Sequence, residues 1–253
     1  MTAFDNRAVV NRKAPGSRPE LFPTPPWAGR ALCGEVLVPL GLMRRGPEFN
    51  HIVDPACGTG HLVHALDDFG RVSYSDVHPW PMIGEFEGVE APVFDFLTGD
   101  PRHCPEWHHF HGGGRADWVI TNPPFSLAAD FWSQSYPSRA AVAHNVALLC
   151  RTNWVEGQRR FRSIFSHSPP TTIVHSSDRI PMIEGVWDPE ATTATCYSWF
   201  VWVAGAERRP DIWLPPGMAK KWTRKSDAAF AVPGEAKRRK AAREAEKAAR
   251  VGR

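Results

Sequence analysis

The chain runs His51-Ile-Val-Asp-Pro-Ala-Cys-Gly-Thr-Gly60 and continues through a helix-like stretch to Phe69. This pattern predicts a strand, a tight turn and the start of a helix, because glycine lets the backbone turn sharply and lets a ligand lie against it. A dinucleotide-binding fingerprint would place Gly or Ala three residues after Gly60, where this chain has Val63. The turn therefore disfavours a nicotinamide dinucleotide as the ligand.

Strand-like and helix-like segments alternate on both sides of this turn. Candidate strands cover 50–54, 71–75, 91–95, 116–121, 145–150, 171–175 and 195–204, and candidate helices cover 28–44, 60–69, 127–136 and 155–166. Such alternation predicts a parallel sheet covered by helices, with ligands at the carboxyl ends of the strands. Asp54, Asp76, Asp95 and Asn122 each close or follow a predicted strand, so we expect one rim of the sheet to collect them.

A second motif, Asn122-Pro123-Pro124-Phe125, ends the apolar run 116–121. Proline fixes its own φ and pushes the preceding residue into an extended conformation, so this backbone is stiff. The Asn122 amide and the Pro123 carbonyl are therefore predicted to be two fixed acceptors, with the Phe125 ring nearby. A planar amino group such as the exocyclic nitrogen of adenine can donate to both while its ring stacks on Phe125. The alternative is an ordinary Pro-Pro turn after a strand.

Three motifs together resemble a known enzyme family. Asp-Pro-Ala-Cys-Gly-Thr-Gly at 54–60 resembles the cofactor loop of S-adenosylmethionine-dependent DNA adenine N6-methyltransferases, and 122–125 resembles their catalytic motif. The segment 21–27 is similar to the Thr-Pro segment that precedes this loop in the class usually called gamma, whose motif order the chain matches. The resemblance covers about 22–204. It implies an α/β, Rossmann-like class I methyltransferase fold with a seven-stranded, mostly parallel sheet and an antiparallel last strand at 195–204.

The resemblance also implies roles for the residues at the methionine end of the cofactor. Asp54 would lie near the methionine, and the Thr24 hydroxyl would receive its carboxylate. The glycine turn would pack against the nucleoside through Ala56, Cys57, Gly58 and Gly60. The predicted catalytic residues are Asn122, Pro123, Pro124 and Phe125, and no metal ligand is predicted.

Two further strand-end acids complete the predicted cofactor site. Asp76 would accept the ribose hydroxyls, as an acid about 20 residues beyond a glycine turn does in dinucleotide folds. By resemblance, Asp95 would bind the exocyclic amine of the cofactor adenine, and Phe96 would lie near its ring. The alternative for a lone strand-end Asp is a solvated residue, since charged side chains are mostly exposed.

The predicted reaction is methyl transfer from S-adenosylmethionine to the exocyclic N6 of adenine in double-stranded DNA, which requires base flipping. Alternative acceptors are an RNA adenine or a protein glutamine amide, and another alternative is a catalytically silent subunit that binds nucleic acid. The glutamine enzymes usually carry Tyr at the Phe125 position, which favours a nucleobase, and the Thr-Pro segment favours DNA. Restriction-modification is a setting typical of the family.

Composition predicts a cytoplasmic globular protein. The chain has 253 residues, 42% of them hydrophobic, which is ordinary for a soluble domain. No apolar run approaches the roughly 20 residues that span a bilayer, and the N-terminus lacks a signal-peptide core, so no membrane partner is expected. The five cysteines are scattered without a Cys-x-x-Cys pair and are predicted to be reduced thiols.

The predicted organisation is a flexible arm at 1–20, a methyltransferase domain at 21–205, an extension at 206–234 and a basic tail at 235–253. The tail holds eight Lys or Arg and three Glu, whereas the net charge of the whole chain is +3. Its apolar residues are mostly alanine, so it is predicted to be a solvated helix or a disordered segment. It is a candidate phosphate contact or, alternatively, a solubilising tail. A protein partner is possible but not indicated.

Three other segments carry candidate functions. Trp154 is a candidate second face of a base sandwich, with the arginines of 151–162 as phosphate ligands; a core Trp and a solvated basic face are the alternatives. The loop 177–193 is a candidate for substrate contact. The cluster His103–His111 fits no regular zinc spacing and is predicted to be a polar surface loop.

Overall fold

One seven-stranded sheet organises the protein. A computed structural model describes residues 19–99, 115–136 and 142–251. The strands are β1 (His51–Asp54), β2 (Arg71–Tyr74), β3 (Ala116–Thr121), β4 (Ala143–Arg151), β5 (Thr172–Ser176), β6 (Tyr197–Val203) and β7 (Ile212–Leu214). Their order is β2-β1-β3-β4-β6-β5-β7. β6 is antiparallel to β4 and β5, and the other pairs are parallel. The predicted α/β class with a mostly parallel, seven-stranded sheet is confirmed.

Two strands differ from the sequence prediction. The predicted antiparallel strand 195–204 is β6, but the candidate strand 91–95 is reduced to a single parallel bridge between Asp76 and Val93. Pro92 lies within it and has no N–H to donate to a ladder. β7 was not predicted, because its three residues include the exposed Trp213 and show no apolar alternation. β7 pairs with β5, so the sheet extends past residue 205.

Six helices accompany the sheet in the described part of the chain. They are α1 (Pro26–Leu32), α2 (His61–Leu66), α3 (Ala128–Ser135), α4 (Gln158–Arg160), α5 (Met218–Trp222) and α6 (Glu235–Val251). α1 and α4 continue as π-helical turns at Cys33–Leu37 and Phe161–Phe165. The predicted helix 28–44 is shorter than expected: helical structure ends at Leu37, two residues before Pro39, which has no N–H to donate to the preceding turn. None of these helices is long and apolar enough to cross a membrane.

The core has two layers, one on each face of the sheet. Alternate residues of β3 and β6 point to opposite layers: Trp118 and Trp199 belong to one cluster with α1 and α2, whereas Val119 and Trp202 belong to the other with α3. The aromatic residues of β6 are at most 7% exposed, so they are core residues as the sequence predicts. This packing makes the carboxyl edge of β1 to β4 a rigid rim.

A buried ion pair attaches the C-terminal extension to α1. The Arg30 guanidinium donates to both carboxylate oxygens of Asp227, at 2.8 and 2.9 Å, and both side chains are fully buried. Arg30 Nε also donates to Asp68 Oδ2 at 2.9 Å. Beside them, Trp222 packs so closely on Gly34 that a Cβ there would lie 2.2 Å from its ring. The extension therefore packs against the helix that follows the Thr-Pro segment.

We expect Arg30→Ala to lower the free energy of unfolding by roughly 3–5 kcal/mol, because it leaves the Asp227 carboxylate buried without its cation. Lys221→Ala is the matched control: Lys221 pairs with Glu35 but is 55% exposed, so its loss should cost about 1 kcal/mol or less. Urea unfolding followed by circular dichroism measures both. Equal destabilisation by the two substitutions would contradict this role of Arg30.

Candidate active site

The ends of β1, β2 and β3 border one cavity. Asp54 closes β1, Asp76 follows β2 by two residues, and Asn122 follows β3. The cavity has a volume of about 270 Å³, and the segment 19–24 forms part of its wall. Of the predicted site residues, those that line it are Thr24, Asp54, Ala56, Cys57, Gly58, Asp76, Asp95, Phe96, Asn122, Pro123, Pro124 and Phe125. Gly60 does not line it. Residues that are about 100 positions apart in sequence thus line the same cavity.

Both glycines of the turn have left-handed backbone conformations, with φ of 52° at Gly58 and 88° at Gly60. A Cβ on Gly58 would lie 2.6 Å from Leu21 on the cavity wall, and a Cβ on Gly60 would lie 2.8 Å from Met82. Gly60 also precedes the first residue of α2, where its carbonyl accepts the His64 N–H. Gly58 therefore shapes the cavity, whereas Gly60 serves the helix start and packing against Met82.

Asp76 holds the glycine turn in place. Its carboxylate accepts the Gly58 N–H at 3.0 Å, the His78 N–H at 3.1 Å and the Trp80 indole N–H at 3.1 Å. Burial raises the pKa of Asp76, and these hydrogen bonds oppose that rise. These N–H groups fix the orientation of the carboxylate, and its predicted contact with the ribose hydroxyls stays a prediction.

Asp54 is the most strongly perturbed acid of the cavity. It is 1% exposed, and its Oδ1 accepts the Ala56 N–H at 3.3 Å. Burial raises its pKa to about 7, and the neighbouring charge of Asp76 adds to the rise. A cationic ligand group beside Asp54 would favour its ionised form. The cavity thus contains an acid that can change its protonation state when a cation binds near neutral pH.

Asp95 and Phe96 differ from each other in accessibility. Asp95 is exposed, and its pKa is lowered because the Thr98 hydroxyl and nearby N–H groups donate to it. Phe96 is only 2% exposed and packs on Phe131 with ring centroids 5.2 Å apart. Phe94, which the sequence analysis did not select, also lines the cavity and is half-buried. Phe94 is therefore the more accessible aromatic ring on this wall.

The Asn122 side chain is oriented by one hydrogen bond. Its Nδ2 donates to the Phe22 carbonyl at 2.9 Å, which turns Oδ1 away from that carbonyl. Oδ1 is buried, and no donor in the described ranges reaches it. A buried acceptor without a partner costs about 1–3 kcal/mol, which a ligand N–H can recover. Asn122 therefore presents one oriented acceptor next to the cavity.

Phe125 is not the open platform that the sequence suggests. It lies among the rings of Phe22, at 5.7 Å between centroids, and Tyr197, at 5.6 Å. The Arg151 guanidinium lies over the ring, with Cζ 4.8 Å from the centroid. Sequence reasoning missed Phe22 and Tyr197 because neither belongs to a chemical motif, although Phe22 stands within the quoted Thr-Pro segment.

The other candidate segments have mixed outcomes. Trp154 is 7% exposed and packs edge-on against Phe200 and Trp202, so its proposed place in a base sandwich is wrong and it is a core residue. Within 177–193, Met182 Sδ lies 4.0 Å from Asn122 Nδ2, which places part of that loop beside the site. The cluster His103–His111 lies outside the described residues, and the described ranges contain no group of metal-ligating side chains.

The chain resembles solved structures only distantly. A protein named as a hemolysin from Lactococcus lactis has 12% identity over 77% of this chain and 95% of its own, with a TM-score of 0.45. A protein named as a class I S-adenosylmethionine-dependent methyltransferase from Listeria monocytogenes has 13% identity over 76% and 64%, with a TM-score of 0.42. One named as an O-methyltransferase from Agrobacterium tumefaciens has 13% identity over 77% and 96%, with a TM-score of 0.41. No family model and no curated protein matches. Likenesses this distant assign no activity.

We expect Asp54→Asn to stabilise the ligand-free protein increasingly as the pH rises from about 4 to 8. The folded-state pKa of about 7 lies above the ordinary value of 3.8. Between these two values the unfolded chain releases this proton while the buried acid keeps it, so the wild type loses stability as the pH rises to about 7, and the loss levels off above that pH. At about 1.4 kcal/mol per pKa unit the gain at pH 8 is on the order of 2–4 kcal/mol. Thermal melts of both proteins across the pH range measure it. A gain that does not change with pH, or one that the exposed Asp95→Asn control matches, would contradict the buried-acid assignment.

Proposed function

We propose that the protein transfers a methyl group from S-adenosylmethionine to the exocyclic N6 of adenine in DNA. The observation that carries the proposal is the Asn122 amide, which the Phe22 carbonyl orients so that no donor among the described residues reaches Oδ1. This unsatisfied acceptor belongs to a stiff Asn-Pro-Pro-Phe backbone at the wall of a cavity that also holds Asp54 and Asp76. The combination suits a cationic methyl donor and an amino-group acceptor that meet at one rim.

The lining residues fit S-adenosylmethionine chemically. When bound, this cofactor supplies an electrophilic methyl group on a sulfonium centre and also carries an ammonium group. Asp54 offers a carboxylate to positive charge, and binding of a cation there would lower its raised pKa. Asp76 is the candidate partner of the ribose hydroxyls, and Asp95 is exposed beside the half-buried Phe94 ring. Thr24, which is buried and lines the cavity, is the candidate partner of the methionine carboxylate.

The acceptor side explains how a weak nucleophile can react. The N6 lone pair of adenine is delocalised into the ring, so the amino group needs help to attack. Asn122 Oδ1 and the Pro123 carbonyl would accept its two hydrogens, which localises the lone pair and directs it towards the methyl group. Transfer would form the N–C bond and break the S–C bond of the donor, which would leave as a neutral thioether, and the alkylated nitrogen, now acidic, would lose a proton to water. Positioning and electrostatic stabilisation therefore suffice, and no dedicated general base is required.

A nucleobase suits the surroundings of Asn122 because they are aromatic and basic. The Phe125 ring and the Arg151 guanidinium lie beside it, and both can stack on a base. In a duplex the N6 atom is out of reach of a recessed cavity, so the base must be flipped out. RNA adenine and protein glutamine remain the alternative acceptors, and a silent subunit is the alternative to an enzyme. Labelled-methyl transfer to separate substrate pools, together with a titration of the cofactor, distinguishes these alternatives.

Labelled-methyl transfer to separate DNA, RNA and protein pools is the direct test. We expect incorporation into DNA, with product found as N6-methyladenine. Asn122→Ala should lower the rate roughly 100-fold or more, as loss of an oriented electrostatic partner does, while Phe125→Ala should cost less, about ten-fold. Asn153→Ala, at an exposed asparagine on the same edge of the sheet, is the matched control and should retain wild-type activity.

The outcomes of this experiment divide the alternatives. Incorporation into RNA alone or into protein alone would replace the acceptor, and full activity of Asn122→Ala would remove the mechanism. Titration calorimetry should show that the wild type binds S-adenosylmethionine. Failure of the wild type to bind it would favour the silent subunit.

The basic helix α6 is the proposed contact to the DNA backbone. Its first turn is anchored to Asp188, which accepts the Gly234 N–H at 3.0 Å and the Ala236 N–H at 2.9 Å. Arg239 donates to the Glu184 carbonyl at 2.7 Å, in the same loop as Met182. The outer part of α6 is exposed and carries most of the remaining positive charge of the tail. The helix therefore starts close to the proposed acceptor site.

Truncation after Arg239 tests this role while the anchored turn is kept. It removes five Lys or Arg and two Glu. We expect a higher KM for DNA and a shallower dependence of KM on salt, because fewer counterions are released on binding. The affinity for S-adenosylmethionine should not change. An unaltered salt dependence would identify α6 as a solubilising tail instead.

A further inference from the structure

The Arg151 guanidinium lies over the Phe125 ring. Arg151 is the last residue of β4, next to the end of β3 from which Asn122 follows. Its guanidinium carbon lies 4.8 Å from the Phe125 ring centroid, and it is close enough to Tyr197 to oppose the rise in the pKa of that phenol that burial causes. Arg151 itself is exposed. An exposed cation thus covers the ring of the half-buried Phe125.

The distance decides what can happen when a base arrives. Stacked planes are separated by about 3.5 Å, so a base inserted between Phe125 and a guanidinium would hold them about 7 Å apart. The observed 4.8 Å leaves no room for it. Phe22 and Tyr197 are held in the protein by packing and partial burial, whereas the Arg151 side chain borders solvent. Arg151 is therefore the group that must move.

We propose that Arg151 is a positioning residue for the acceptor base. Its guanidinium occupies the place over Phe125 where a base would stack, until a nucleobase displaces it. This inference rests on the proposed function and identifies the residue that controls access to its acceptor subsite. The exchange replaces one planar cation–π contact with a base–aromatic stack, so the aromatic face stays covered in both states. The displaced guanidinium can then contact a backbone phosphate near the same rim.

The test uses a short single-stranded oligonucleotide with one 2-aminopurine among thymidines, an adenine analogue whose fluorescence is quenched on stacking. Because this probe is unpaired, its binding requires no base flipping and no knowledge of the target sequence. We expect Arg151→Ala to bind it about two- to five-fold more tightly than wild type, at an ionic strength that screens backbone attraction. The gain should vanish when Phe125→Ala is added. Arg151→Lys retains the charge but not the planar stack, and should show part of the gain.

Arg162→Ala is the matched control, since it removes one exposed arginine from the segment after β4 without uncovering Phe125. If Arg151→Ala binds the probe no more tightly than Arg162→Ala, or if its gain persists without the Phe125 ring, the proposal is wrong. Thermal melts and S-adenosylmethionine titration confirm that each variant is folded. The methyl-transfer assay is a separate test. If Arg151→Ala tightens probe binding only in the presence of the Phe125 ring but no methyl group is transferred, the proposed reaction is wrong and the role of Arg151 stands. If methyl groups are transferred but the effect of Arg151→Ala does not depend on Phe125, only the role of Arg151 is wrong.

Discussion

The hydrogen bond from Asn122 Nδ2 to the Phe22 carbonyl is the contact on which the site depends. It joins the end of the central strand β3 to the N-terminal segment that walls the cavity. Two prolines follow Asn122, so the backbone that carries the amide has little freedom. Because the amide nitrogen is bound by the protein, the amide oxygen is fixed in direction, and it has no partner in the part of the chain that the structure describes. The Nδ2 group of Asn122 thus orients the side chain, and the Oδ1 acceptor is left for a ligand.

Electrostatics give the three predicted acids of the cavity different roles. Asp76 has three N–H donors from its own chain, so it mainly fixes the glycine turn. Asp54 has one, lies deeper, and has a pKa raised to about 7 by burial. Asp95 lies at the exposed edge, where hydrogen bonds lower its pKa. One part of the cavity therefore has a buried acid, Asp54, that favours a cation, and another has a solvated acid, Asp95, that favours a polar group. This arrangement matches a ligand that is charged at one end only.

The sequence predicts the rim better than the surfaces above it. Strand ends, glycine turns and proline-stiffened corners are local features, so the positions of Asp54, Asp76 and Asn122 follow from pattern and strand order alone. The environment of Phe125 does not, because it depends on Phe22, Arg151 and Tyr197, which three separate segments contribute. The same limit applies to Trp154, for which the sequence left a base-stacking role and a core position open, and which the structure places in the core. Tertiary packing decides whether an aromatic ring is core or platform.

The C-terminal extension bears on how a small chain can contact a large substrate. Arg30 and Asp227 bury a full ion pair to attach it, and the His61 ring, which follows the glycine turn, contacts the Phe230 carbonyl at 3.2 Å. Desolvated pairs of this kind favour a single docked arrangement, since breaking one leaves a buried charge. The part of the extension before α6 therefore packs on α1 and on His61, the first residue after the glycine turn, and does not extend away from the domain. Under the proposed function, contacts to DNA would then come from the rim itself, from the loop around Met182, which contacts Asn122, and from the helix anchored at Asp188.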